Sequence, residues 1–115
     1  MKFDLKEATV SASCATITLE LTHSGKLPAA AMGHNVVVSS TADMAAVNSD
    51  GVKAGLAADY VKAGDTRVIA HSKIIGGGET TSVKIPVAKL GAGPNSFFCS
   101  FPGHAALMKG TIAVK

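Results

Sequence analysis

The sequence predicts an all-β fold, an antiparallel β-sandwich with one short helical flap, and three observations carry that prediction. Several segments alternate apolar and polar residues with period two, the pattern of half-buried strands. Hydrophobic residues make up 47% of the chain and aromatics only 4%, so the core must be built from Val, Ile, Leu and Ala, and small β-branched residues favour sheets. Gly and Pro clusters separate the segments, which gives about seven short strands rather than a few long elements. With 115 residues and no low-complexity stretch, residues 1–115 read as one domain.

In chain order, Phe3 and Leu5 face away from Asp4 and Lys6, and in 15–21 the residues Ile17, Leu19 and Leu21 alternate with Thr16, Thr18 and Glu20. The turn cluster Ser24, Gly25, Lys26, Leu27 and Pro28 leads into 34–38, whose β-branched run Val36, Val37, Val38 suits a buried strand. Further strands are expected at 67–71, 82–86, 96–99 and 111–114. The segment 41–60 departs from this pattern. Its Ala-rich stretches with Met44, Val47 and Leu56 suit a short helical flap, with an N-cap candidate in 41–43 and a break at Asp50 and Gly51. Gly76, Gly77 and Gly78 form a tight turn between strands. A phosphate loop is excluded there because no Lys-Ser/Thr pair or helix follows.

Charge and hydropathy narrow the function further. Eleven Lys and Arg against eight Asp and Glu give a formal +3, but Lys26, Lys53, Lys62, Arg67, Lys73, Lys84, Lys89 and Lys109 are scattered singly. No basic stripe or interleaved aromatics form a nucleic-acid surface. The longest apolar runs are too short to span a bilayer, and 1–7 lacks the apolar stretch of a signal peptide, so the chain reads as mature or trimmed.

The chemistry concentrates in 98–108, where Cys99, His104 and Met108 stand in the spacing Cys-x4-His-x3-Met directly after a strand. Pro102 and Gly103 supply the turn that folds His104 and Met108 back toward Cys99. A thiolate, an imidazole and a thioether do not suit magnesium or calcium, and Met is a poor partner for structural zinc. The softness of the set selects copper. A trigonal His2Cys site with a long axial Met needs a second imidazole, for which His23, His34 and His71 are candidates. His34 is preferred because it opens the buried strand after Gly33, whose missing side chain lets a backbone carbonyl approach a metal.

Met32, Gly33, His34 and Asn35, followed by 98–110, resemble the azurins, blue copper proteins of the cupredoxin family, and the resemblance extends through Asp59 and Tyr60, 65–71 and 76–79. It implies a Greek-key cupredoxin sandwich, a periplasmic location and one-electron transfer on a single Cu(II)/Cu(I) ion. Carried over, it makes His34, Cys99 and His104 the equatorial ligands, Met108 the axial thioether and the Gly33 carbonyl a weak opposite ligand. It implies redox partner proteins, cytochrome-type donors or copper and haem reductases, that dock on an apolar face around His104, and a monomer or weak self-association. That face is suggested by Leu27, Ala31, Met32, Phe101, Pro102, Ala106 and Leu107. His104, on a loop, is expected to bring one ring edge to the surface.

The chain departs from the azurin pattern in three places. The azurins begin earlier, with a strand whose cysteine pairs with the position of Cys14, which leaves Cys14 a free thiol here. They carry a buried tryptophan at the position of Val36, and 91–96 is shorter and lacks their tyrosine. A metal-free or redesigned scaffold that keeps the sandwich is the alternative reading. An oxidase or reductase would need a second copper centre, and after His34 and His104 the remaining His23 and His71 cannot build one. Both are expected to lie on strands away from the ligand loops.

Overall fold

Two sheets face each other across an aliphatic core in the computed structural model, which describes residues 7–11, 13, 15–90 and 94–114. The strands are β1 (Glu7–Val10), β2 (Thr16–Thr22), β3 (Val37–Ser40), β4 (Ala70–His71), β5 (Thr80–Pro86), β6 (Asn95–Phe98) and β7 (Lys109–Val114). One sheet has the order β1-β7-β6-β3-β4 and the other pairs β2 with β5. All pairings are antiparallel except β1 with β7, which run parallel, so the larger sheet is mixed where a purely antiparallel one was expected. The alternation at Phe3 and Leu5, the state of Cys14 and the first part of 91–96 fall outside the described residues.

Period two places β2 as expected. Ile17, Leu19 and Leu21 turn inward opposite Ile85, Val83 and Thr81 of β5, while Thr16, Thr18 and Glu20 face solvent. They pack with Val36, Val38, Ile75, Leu90, Phe97 and Ile112 in the main core. Val37, one residue out of phase, points to the other face and packs with Phe98, Val47, Val61 and Ala105 beneath the flap. The run at 36–38 is therefore buried on both sides, as its unbroken β-branching requires.

The flap is more helical than its sequence suggests. A 3-10 turn (Thr41–Asp43) leads into α2 (Met44–Ala54), after the single-turn α1 (Ala29–Met32), and a second 3-10 turn (Leu56–Ala58) follows. The cap is Ser40, whose hydroxyl accepts the Asp43 amide at 3.2 Å, one residue before the segment expected to supply it. Gly51 does not break α2; the helix runs through it and stops at Gly55, where φ is +83°. An interior glycine costs a helix about 0.5–1 kcal/mol, which packing offsets here because a Cβ at Gly51 would overlap the Tyr60 carbonyl oxygen.

β4 is shorter than the expected 67–71, since 65–68 is held in a turn in which Asp65 accepts the Arg67 amide at 3.0 Å. The Arg67 guanidinium also reaches Asp50 on α2 at 2.6 Å and Asp65 at 2.8 Å, tying the flap to this turn. β3 starts at Val37 because His34 makes only an isolated pair with Ile75. β7 starts at Lys109, directly opposite Phe98.

Candidate metal centre

Cys99 leaves the end of β6 and enters a loop that winds tightly back on itself. The His104 amide donates to the Phe101 carbonyl at 2.9 Å, and those of Leu107 and Met108 donate to the His104 carbonyl at 3.1 and 2.8 Å. Gly103, at φ +84°, takes the left-handed conformation that Pro102-Gly103 foretold. A bond from the Cys99 amide to the Met108 carbonyl at 3.0 Å closes the loop. Met108 is thereby buried beside Cys99, with 2% of its surface accessible.

The second histidine arrives from far away in sequence. His34 exchanges backbone hydrogen bonds with Ile75 at 3.1 and 2.9 Å. Before it, Gly33 sits where a Cβ would lie 2.6 Å from both the Ala29 carbonyl oxygen and an Ile74 methyl. Glycine is required here for close approach, since its φ of −78° is ordinary. The result brings His34 Nδ1 to 4.0 Å and His104 Nδ1 to 3.7 Å from Cys99 Sγ, with the Gly33 carbonyl oxygen also at 4.0 Å. The ligand atoms of His34, Cys99 and His104 all lie within 4.8 Å of one another. Bonds of about 2.3 Å to a thiolate and about 2.0 Å to imidazoles in a trigonal plane put sulfur about 3.7 Å from each nitrogen. The observed separations fit one metal ion among these three donors.

The protonation states fit as well. Burial holds the His34 imidazole down to about 4, with His23 and His104 adding repulsion, and burial also lowers His104. Both rings are neutral near pH 7, with a lone pair free to donate. Burial pushes the Cys99 thiol up, opposed by the backbone N–H groups of Asn35 and Phe101 directed at its sulfur. A cation at the site reverses that burial cost by favouring the thiolate. Cys99 is a free cysteine, fully buried, so its sulfur is available as a donor.

Asn35 binds the two ligand segments together. Its Oδ1 accepts the Ser100 amide at 2.8 Å, and its Nδ2 donates to the Ser100 hydroxyl at 2.9 Å and the Asp59 carbonyl at 3.0 Å. The Ser100 hydroxyl donates onward to the Tyr60 carbonyl at 2.8 Å. Asp59 and Tyr60 both take left-handed φ, 55° and 54°, a conformation that costs a non-glycine residue about 1–3 kcal/mol. That cost is met where the end of the flap grips the residues beside both His34 and Cys99.

Two histidines lie elsewhere than expected. His23 is not away from the ligand loops: it is 3% accessible, stacks on His34 with ring centroids 4.2 Å apart, and bonds through Nε2 to the Met32 carbonyl at 2.6 Å. Its Nδ1 accepts the Gly25 amide at 3.0 Å, which leaves Nε2 to meet the Met32 carbonyl. The inward series Ile17, Leu19, Leu21 continues in phase to residue 23, and that signal could have placed it. His104 is also far less exposed than its loop suggested, at 4%. The Phe101 ring, with its centroid 4.5 Å away, and the His34 ring at 5.1 Å cover it. His71 lies exposed on β4, bonded to the Ser72 carbonyl at 3.1 Å, outside the cluster. Around the site Leu107 is 61% and Leu27 52% exposed, while Met32 and Phe101 are half-buried.

A two-sheet sandwich that holds a His-Cys-His cluster is a candidate metal-binding protein, and the chain belongs to the plastocyanin/azurin family of copper-binding proteins, whose model matches residues 1–115. Its relatives within that family are azurins. It is 60% identical over 113 residues to an azurin of Bordetella pertussis, covering 97% of this chain and 75% of that protein, and 60% identical to one of Alcaligenes faecalis, covering 97% and 88%. An azurin of the methylotroph Methylomonas sp. strain J superposes with a TM-score of 0.94 at 42% identity, covering 99% of this chain and 89% of that one.

Proposed function

We propose that this protein carries single electrons on one copper ion, which His34, Cys99 and His104 would hold, with the Met108 thioether and the Gly33 carbonyl as further weak donors. The carrying observation is the convergence of two neutral imidazole nitrogens and one buried sulfur at separations that suit a single trigonal metal. Copper supplies the one-electron couple when bound. The chain's residues do the rest: the closed 99–108 loop and the Asn35 bridge fix the donors in place, so little has to rearrange on electron transfer, and the Asn35 and Phe101 amides stabilise the thiolate. Burial excludes water from the sulfur.

Redox partners meet the apolar rim of Leu27, Met32, Phe101 and Leu107, the surface nearest His104. The exposure of Leu27 and Leu107 supports this, although His104 itself offers only a narrow accessible edge. Brief, weak encounters suit such a small rim. The periplasmic location implied by the azurin resemblance accords with the bacterial source of the relatives. Among the described residues no helix is long and apolar enough to cross a membrane. Titration of the metal-free protein with Cu(II) tests the reading: one equivalent should bring up an intense thiolate-to-copper charge-transfer band, and a protein that stays colourless would be a metal-free scaffold.

A further inference from the structure

We propose that Gly51, in the middle of the flap helix, is a positioning residue for the metal centre, acting through the Tyr60 carbonyl and Ser100. The inference rests on the reading of Cys99 as the metal-binding thiolate. Gly51 is buried, and a Cβ there would overlap the Tyr60 carbonyl oxygen and come within 3.1 Å of its carbon. That same oxygen accepts the Ser100 hydroxyl at 2.8 Å. Ser100 follows Cys99 in the chain and precedes Phe101, whose amide is directed at the sulfur. Its amide and hydroxyl are both held by Asn35, whose own amide also reaches the sulfur. The absence of one side chain on α2 therefore lets the flap press a carbonyl onto Ser100, the residue between Cys99 and Phe101. Tyr60 has little freedom to yield, since its φ is left-handed and its amide is bonded to the Gly55 carbonyl at 3.0 Å.

Helix propensity alone favours Ala over Gly at an interior position, but the overlap with the Tyr60 carbonyl makes Gly51→Ala costly whether or not the flap acts on the metal centre, so stability does not decide. Positioning adds an effect at Ser100 and the sulfur. The added methyl drives the Tyr60 carbonyl away, the Ser100 hydroxyl loses that acceptor and keeps only its bond to Asn35, and the hydrogen bonds to the thiolate lengthen. A thiolate with weaker donors holds more charge, which favours Cu(II).

The test compares the 115-residue parent with Gly51→Ala, Ser100→Ala, the double variant, and Gly64→Ala as a backbone-strained control, since Gly64 has φ +73° and open space around it. In the metal-free proteins, hydrogen exchange at the Ser100 amide should accelerate on the order of tenfold in Gly51→Ala but not in Gly64→Ala. After copper loading, the reduction potential of Gly51→Ala should fall below that of the parent and the control, and the substitution should add nothing further in the Ser100→Ala background. Parent-like exchange at Ser100 together with a parent-like potential, or a full additive shift in the double variant, would overturn the proposal. Should Gly51→Ala fail to fold, Ser100→Ala alone decides, since a parent-like potential there removes the route. A parent that binds no copper defeats the metal reading, while the exchange measurement still decides whether Gly51 positions Ser100.

Discussion

Replacing Asn35 with Ala should cost about 2–4 kcal/mol of stability even without metal. Asn35 is fully buried and makes three hydrogen bonds of 2.8–3.0 Å. Its removal strands the Ser100 amide in a residue only 1% accessible, a loss of about 1–3 kcal/mol for an unsatisfied buried donor. The Asp59 carbonyl, in a half-buried residue, adds about 1 kcal/mol, while the Ser100 hydroxyl keeps its bond to Tyr60. Urea unfolding of the metal-free protein measures the sum as a lower midpoint at unchanged slope. Asn35→Asp separates the parts, since it keeps the acceptor for Ser100 but lacks the two donors and buries a charge. A loss below about 0.5 kcal/mol for Asn35→Ala would refute the claim that this side chain bridges the loops.

Four further outcomes are expected. Cys99→Ser should abolish the charge-transfer band while circular dichroism still reports the sandwich, because an alcohol cannot replace the thiolate; a coloured variant would move the site elsewhere. Met108→Leu should keep the colour and raise the potential measured by voltammetry, because removing a weak donor destabilises Cu(II) more than Cu(I). Leu107→Lys should slow electron self-exchange at low salt with an unchanged optical spectrum, since the site of greatest apolar exposure on the rim then carries a charge that must be desolvated; parent-like exchange would move the docking face. Finally, the His34 pKa is depressed in the folded protein from 6.5 to about 4, so the unfolded chain binds the extra proton first. The metal-free protein should hold its full contribution from His34 above pH 6.5 and lose stability as pH falls from there toward about 4, which denaturation at several pH values checks against a His34→Gln variant.

The meeting of Cys99 with His104 was legible in the sequence because both share one loop, whose Pro-Gly turn folds by local rules. Strand β2 was legible for the same reason: alternation between neighbours two apart is a local property, and burial follows it residue by residue. What only the tertiary structure decided involves partners distant along the chain. Local pattern offered His23, His34 and His71 alike. The pairing of His34 with Ile75 brought one of them to Cys99, stacked the second upon it and left the third on a surface strand. Likewise Gly51 read as a helix break, because propensity counts the cost of a missing side chain and not the carbonyl packed into its place. Burial of His104 depended on the rings of Phe101 and His34 closing over a loop that sequence could only call exposed. Periodicity and turn chemistry act over a few residues, whereas these contacts exist only once the two sheets and the flap have packed.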